Sequence, residues 1–242
     1  MSVDAHCHLD LHPDPLSLLR EAIDSRLQLV AVTTTPAAFR ISVKFTDAAK
    51  GIIPALGMHP EVVAIRPRDI DLFNPYLEQV RWVGEVGLDG SKRFAGSWDA
   101  QVRVFNRILQ ECSNVGGRIL SIHSRAAVQE VFKLLVKHPK CGTPVMHWFS
   151  GKPSEVTQGI ELGAFFSVNL QMLDTKSGVE IIRKIPLSRL LTESDSPFSQ
   201  PAYPAKIIDR IDLAEKRLAD LYGTTQQCIK STVATNFSSL TG

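Results

Sequence analysis

The chain has 242 residues, 44% of them hydrophobic and 21% charged, with 27 Lys+Arg against 25 Asp+Glu for a net charge of +2. This composition excludes collagen-like, disordered and disulfide-scaffold classes, and the length admits one large domain or two small ones. The balanced charge gives no bulk argument for or against a polyanion partner, which usually needs a basic face. Cys7, Cys112, Cys141 and Cys228 are scattered without CxxC spacing, the pattern a reducing compartment permits. The opening MSVDAHCHLD lacks the apolar stretch of a signal peptide, and no run reaches the roughly 18 apolar residues of a membrane span. A cytoplasmic protein with no membrane partner is expected.

Taken in chain order, short β-rich apolar runs alternate with longer stretches of helical spacing. The runs are Ser2–His8, Leu29–Thr35, Gly51–His59, Trp82–Asp89, Arg118–Ser124, Pro144–Ser150, Ala164–Asn169 and Arg189–Asp195. Several are apolar nearly throughout (IIPALGM, WVGEVGL, RILSI), as parallel strands buried on both faces should be. Leu16, Leu19, Ile23 and Leu27 recur at helical spacing, as do Val102, Phe105, Leu109 and Cys112. Asp14-Pro15 and Thr35-Pro36 open helices, Gly116-Gly117 closes one, and Lys152-Pro153-Ser154 starts another. Tyr203–Tyr222 and Thr224–Phe237 read as two further helices, the second capped by Thr224 with Gln227 three residues on. No linker or charge block divides the chain, so one domain over 1–242 is expected.

Eight β-then-α units predict an α/β fold, a closed TIM (β/α)8 barrel of typical length. A doubly wound open sheet alternates in the same way, and the pattern alone does not separate the two. The polar residues do. Most strand candidates end on an ionisable group: His6 and His8, His59, Glu85 and Asp89, His123, His147, and Asp195. In a barrel all strand C-termini converge on one mouth, whereas an open sheet spreads them along an edge too long for one metal site.

Side chains two apart on a strand face the same way, so His6 and His8 can bite one metal while Cys7 faces the helices. Asp4 lies deeper on the same face, where it can support a ligand. Glu85 interrupts the apolar run Val83-Gly84-Glu85-Val86-Gly87, and an unpaired buried charge is costly. It either pairs with a buried Arg or ligates metal, where it can bridge two divalent ions. His123 and His147 each end an apolar strand, a place where single histidines are more often hydrogen-bonded core residues; beside His6, His8 and Glu85 the ligand reading dominates. Asp195 can ligate a metal and take a proton from an attacking water as general base, and Glu193 shares its face. His59 and Asp89 are candidates to contact substrate or order the mouth, and Trp148 to stack on a base. Arg125, Lys92 and Arg93 can meet phosphate oxygens, or be solvated surface charges.

The ordered motifs HxH, G-x-HP, GE-x-GLD, IHSR, H-x-FSG and ES-D-S-P, spanning Ser2 to about Pro197, resemble the TatD family of metal-dependent deoxyribonucleases in the amidohydrolase superfamily. The resemblance implies a TIM barrel and two divalent ions (Mg²⁺, Mn²⁺ or Zn²⁺). His6, His8 and Asp195 would hold one ion, His123 and His147 the other, with Glu85 bridging them. It implies Glu85 and Asp195 at the chemistry and cleavage of DNA phosphodiesters, often from the 3′ end. The sequence departs from the family at Gly90-Ser91, at Trp148 and over Phe198–Pro204, so the substrate rim is not standard. The Gly-Leu-Asp-Gly-Ser and His-Trp-Phe-Ser-Gly variants resemble the QatD branch, found in a bacterial anti-phage gene cluster, which implies partner proteins of a defence complex. The alternatives are an amidohydrolase acting on a small amide or ester, which often bridges its metals with a modified Lys on the fourth strand, and a barrel serving mainly as a binding subunit.

Overall fold

The computed structural model describes residues 1–47, 50–198 and 203–241. Among them, eight strands follow the expected runs: β1 (Val3–Cys7), β2 (Gln28–Ala31), β3 (Ile52–Leu56), β4 (Trp82–Gly87), β5 (Ile119–His123), β6 (Thr143–His147), β7 (Phe165–Val168) and β8 (Leu190–Thr192). They pair in sequence order, every ladder parallel. Helices cover the outside, so the chain is a single-domain TIM barrel. Most strands stop short of the sequence-based bounds at their C-terminal ends. The polar residues there leave the ladder to turn into the mouth, so His8, His59, Asp89 and Asp195 stand just beyond their strands.

The barrel is nearly closed, because β8 and β1 share no ladder. Their seam is stitched by other bonds. Thr192 Oγ1 donates to Val3 O at 2.6 Å, and Ser194 N donates to Asp4 Oδ1 at 2.9 Å. Beyond β8, Asp195 N donates to His6 O and His8 N donates to Ser196 O. This seam holds Asp195 beside the two histidines of β1. Asp4, expected to support a ligand, accepts from the backbone amides of His6 and Ser194 and braces the joint.

The core lies between strands and helices. Trp82 of β4 stacks on Phe237 of the last helix at 5.7 Å, and Phe39, Phe105, Phe149 and Phe166 are fully buried around the ring. Each such side chain contributes about 1.5–3 kcal/mol by leaving water. Cys7 packs with Leu18 and Leu19 of the first helix, outside the barrel lumen as alternation requires.

The expected helix punctuation is present at most sites. Asp14 caps Pro15–Asp24, Thr35 caps Pro36–Ser42, and Gly116 ends Trp98–Val115 at φ 72°. Two expectations need correction. In Pro15–Asp24 the buried residues are Leu18, Leu19 and Ala22, while Leu16 and Ile23 are 50% and 37% exposed. The buried stripe is turned by part of a helical turn, and the small Ala22 hid it. The final helix, Gln226–Thr241, is capped by Thr225 and not Thr224: Cys228 N donates to Thr225 Oγ1 at 3.1 Å, the third amide of the helix.

Candidate metal centre

Glu85 is the hub. The alternation of β4 turns this carboxylate into the lumen, where it is 2% exposed. Backbone crowding around the hub explains two glycines. A Cβ on Gly57 would lie 1.6 Å from Thr33 O, and one on Gly87, at φ 138°, would lie 2.1 Å from His123 O. No arginine pairs with Glu85 among the described contacts; histidines surround it. His8 Nε2 lies 2.9 Å from Oε2, His123 Nδ1 2.7 Å from Oε1, His59 Nε2 3.2 Å from Oε1, and His6 Nε2 3.4 Å from Oε2.

The six residues expected to hold metal all converge here. His6 and His8 approach Nε2 to Nε2 at 3.3 Å, and the His6 and His147 rings stack at 3.6 Å. Asp195 Oδ1 is 3.7 Å from His6 Nε2 and 3.9 Å from His8 Nε2. Three donor sets have ligand atoms within 4.8 Å of one another: His6–His8–Asp195, His6–Glu85–His147 and His59–Glu85–His123. The grouping departs from the pairing of His123 with His147, whose rings stand 6.4 Å apart. His59 takes a place beside His123. Lying past β3, it caps the short helix Pro60–Val63, accepting from Glu61 N through Nδ1, which aims Nε2 at Glu85.

Around these donors sits a layer of supporting groups. Glu193 accepts from His147 Nδ1 at 2.9 Å, from Trp148 N at 3.1 Å, from Asn169 Nδ2 at 2.9 Å and from the Ser167 hydroxyl. Ser121 Oγ lies 2.7 Å from His6 Nδ1, and Asp10 Oδ1 lies 3.4 Å from His8 Nδ1. Asp10 is itself fixed by the amide and hydroxyl of Thr34. Sequence reasoning singled out Glu193 and passed over Ser121, Asp10, Ser167 and Asn169. Asp10 had a signal, since it continues the two-residue alternation of His6 and His8. Asp89 is fully buried and does not line the cavity. Gln101 clasps its backbone on both sides, and its Oδ2 lies 3.0 Å from His123 Nε2.

Above the hub opens a cavity of about 560 Å³, with His8, His59, Glu85, His123, His147 and Asp195 along its floor and walls. Arg125 lines it, exposed; Lys92 and Arg93 are exposed outside it, Arg93 lying over the Phe94 ring. Trp148, half-buried, and Phe198, 55% exposed, reach the opening. The loop expected over 198–204 lies partly outside the described residues.

The electrostatics fit a cation site. Burial alone would raise the Glu85 carboxyl, yet His59, His123 and His6 hold it well below the usual range. Burial would also discharge His8, His123 and His147. Neighbouring carboxylates overcome it, raising His8 to about 10 through Asp10 and Glu85, His123 to about 9 through Asp89 and Glu85, and His147 to about 9 through Glu193. Burial lifts Asp195 to about 7, partly offset by His147 and His8. Burial and the charge of His147 push His6 well below its ordinary value. So many carboxylates in so dry a place demand positive charge. Divalent ions can supply it as the protons leave, and mixed imidazole and carboxylate donors suit Zn²⁺, Mn²⁺ or Mg²⁺.

Known proteins share this fold and match this sequence. The family model described as TatD related DNase matches residues 3–242. Human Deoxyribonuclease TATDN3 is 29% identical over 218 residues, covering 82% of this chain and 79% of that protein. The crystal structure of a TatD homologue from Escherichia coli, YJJV, superposes with a TM-score of 0.88 at 22% identity, covering 99% of this chain and 97% of the other. A TatD family hydrolase from Entamoeba histolytica superposes with a TM-score of 0.80 at 13% identity, covering 99% and 97%. Among the described residues no helix is long and apolar enough to cross a membrane. A match over nearly the whole chain, on a barrel whose mouth gathers this donor set, makes the chain a member of the TatD family of metal-dependent hydrolases.

Proposed function

We propose that the protein hydrolyses DNA phosphodiester bonds using two divalent ions held at the barrel mouth. The observation that carries this reading is Glu85, a buried carboxylate approached by five histidines at the base of an open cavity of about 560 Å³. His6, His8 and Asp195 would hold one ion, and His123 and His147 the other, with Glu85 between them; His59 lies in one set with His123 and Glu85, and His147 in another with His6 and Glu85. When bound, the ions supply Lewis-acid activation of the phosphoryl group and a more acidic water. The chain's own groups do the rest. Asp195, at the centre's edge, accepts the proton of the attacking water. Glu193 keeps the Nδ1 proton of His147 engaged, leaving Nε2 free to face the centre. Arg125, at the cavity wall, meets the non-bridging phosphate oxygens.

Purified protein loaded with Mn²⁺ or Mg²⁺ should degrade DNA, and His6→Ala or Asp195→Asn should lower the rate at least 100-fold, a typical loss for a general base. Equal residual activity in wild type and variants would trace the signal to contamination and sink the reading. β4 carries Glu85 and no lysine, which ranks amide or ester hydrolysis lower; turnover of such a panel without DNA cleavage would reverse the order. The Gly90-Ser91 and Trp148 variants support the QatD branch and a role in anti-phage defence with partner proteins. Phage protection that survives Asp195→Asn, with partners co-purifying, would make binding the main role.

A further inference from the structure

The cavity has an apolar rim that phosphodiester hydrolysis alone does not need. Leu11, Val62, Trp148 and Phe198 line it above the polar floor. Phe198 and Leu11 leave 55% and 43% of their surface in water, and a contiguous apolar rim of this kind around a cavity marks a binding surface. The two aromatic rings are placed with respect to the same row of histidines. His8, His6 and His147 are consecutive in space, His6 lying 3.3 Å from His8 and stacked at 3.6 Å on His147. Phe198 stands edge-on to His8 at one end, with centroids 5.4 Å apart and planes at 88°. Trp148 stands edge-on to His147 at the other end, 6.3 Å apart at 83°.

Both are fixed by the segment that carries Asp195. Phe198 N donates to Asp195 O, and its carbonyl accepts from Gln171 Nε2 at 3.3 Å. Trp148 N donates to Glu193 Oε1, and the residue is held at φ 37°, a conformation a bulky side chain adopts only under constraint. Trp148 also packs against the main core. The backbones of both residues are therefore anchored beside the centre, and both side chains line the cavity above it.

A phosphodiester has a nucleoside on each side. The geometry points to a two-sided base clamp: Phe198 stacks one of the two bases flanking the scissile phosphate and Trp148 stacks the other. This rests on the phosphodiester reading above and adds which residues recognise the nucleosides. Stacking on a π-face accepts any base, so the clamp sets affinity without sequence preference.

The test is equilibrium binding of the Mn²⁺-loaded protein to dithymidine with a non-hydrolysable methylenephosphonate linkage. Two analogues accompany it, each with one or the other base replaced by hydrogen. Wild type should lose about tenfold in affinity for each base removed. Phe198→Ala should bind the parent about tenfold more weakly and become indifferent to loss of one base; Trp148→Ala should do the same for the other. Trp148→Phe should recover most of the affinity, which separates stacking from a disturbed loop. The clamp is overturned if wild type does not distinguish parent from analogues, or if both alanine variants keep wild-type discrimination. If wild type ignores the bases yet cleaves DNA, the clamp alone falls. If it binds no dinucleotide and cleaves no DNA, the reading of the centre falls with it.

Discussion

Glu193 shows how a single side chain decides whether neighbouring histidines can work. Its two oxygens are filled by four donors, one of them His147 Nδ1. Glu193→Gln preserves shape but removes the charge and turns an NH₂ toward groups that already donate. Metal affinity measured by calorimetric titration should fall about 10- to 100-fold, the usual cost of losing a carboxylate behind a metal-facing histidine, while the far-ultraviolet spectrum stays unchanged. Unchanged affinity would show that His147 needs no orienting partner. The residues that converge at the hub were legible because each is an ionisable group ending an apolar run, where burial makes an idle charge expensive. Ser121, Ser167 and Asn169 were not legible. A small polar residue on a strand acquires meaning only from the partner opposite it across the lumen, and no linear spacing records that partner. His59 was legible as a polar residue but not as a neighbour of Glu85, because its aim depends on capping a four-residue helix.

At the scale of elements, the strands were readable and the helix faces less so. Buried parallel strands are apolar on both sides, so their existence does not depend on phase. A helix face does depend on phase, and in Pro15–Asp24 two well-spaced leucine and isoleucine positions lie toward solvent while Ala22 is buried. The start of the last helix was displaced by one residue for a similar reason: two adjacent threonines offer equal capping chemistry, and only the backbone path selects between them. That choice can be measured. Thr225→Ala removes the acceptor for Cys228 N and should cost about 1 kcal/mol, lowering the midpoint of thermal unfolding by about 2–4 °C for a domain of this size. Thr224→Ala should leave it within about 0.5 kcal/mol of wild type. The reverse ranking would restore Thr224 as the cap.

The whole barrel divides its labour between two ends, with ionisable residues gathered at the C-terminal mouth and apolar packing elsewhere, as TIM barrels do. One carboxylate breaks the pattern. Glu215, on the helix Ile207–Tyr222, is fully buried near the start of β1, with Oε2 accepting from Ser2 Oγ at 3.4 Å. Burial pushes its pKa up to about 7 against the opposing pull of Lys230 and Ser2. The sign follows from linkage. The folded protein holds this proton up to about pH 7, whereas the unfolded chain releases it near 4.5, so folding takes up a proton between those values. Stability from this group is therefore greatest below pH 4.5, declines as pH rises, and is lost above about 7. Glu215→Gln keeps the side chain's shape without the ionisation. In urea unfolding the variant should exceed wild type by about 2 kcal/mol at pH 8, with the gap closing as pH falls below 5. A gap that stays constant with pH would mean that Glu215 stabilises or strains the barrel through packing alone. A deficit at pH 8 would mean that its charge is paired at the bottom of the barrel.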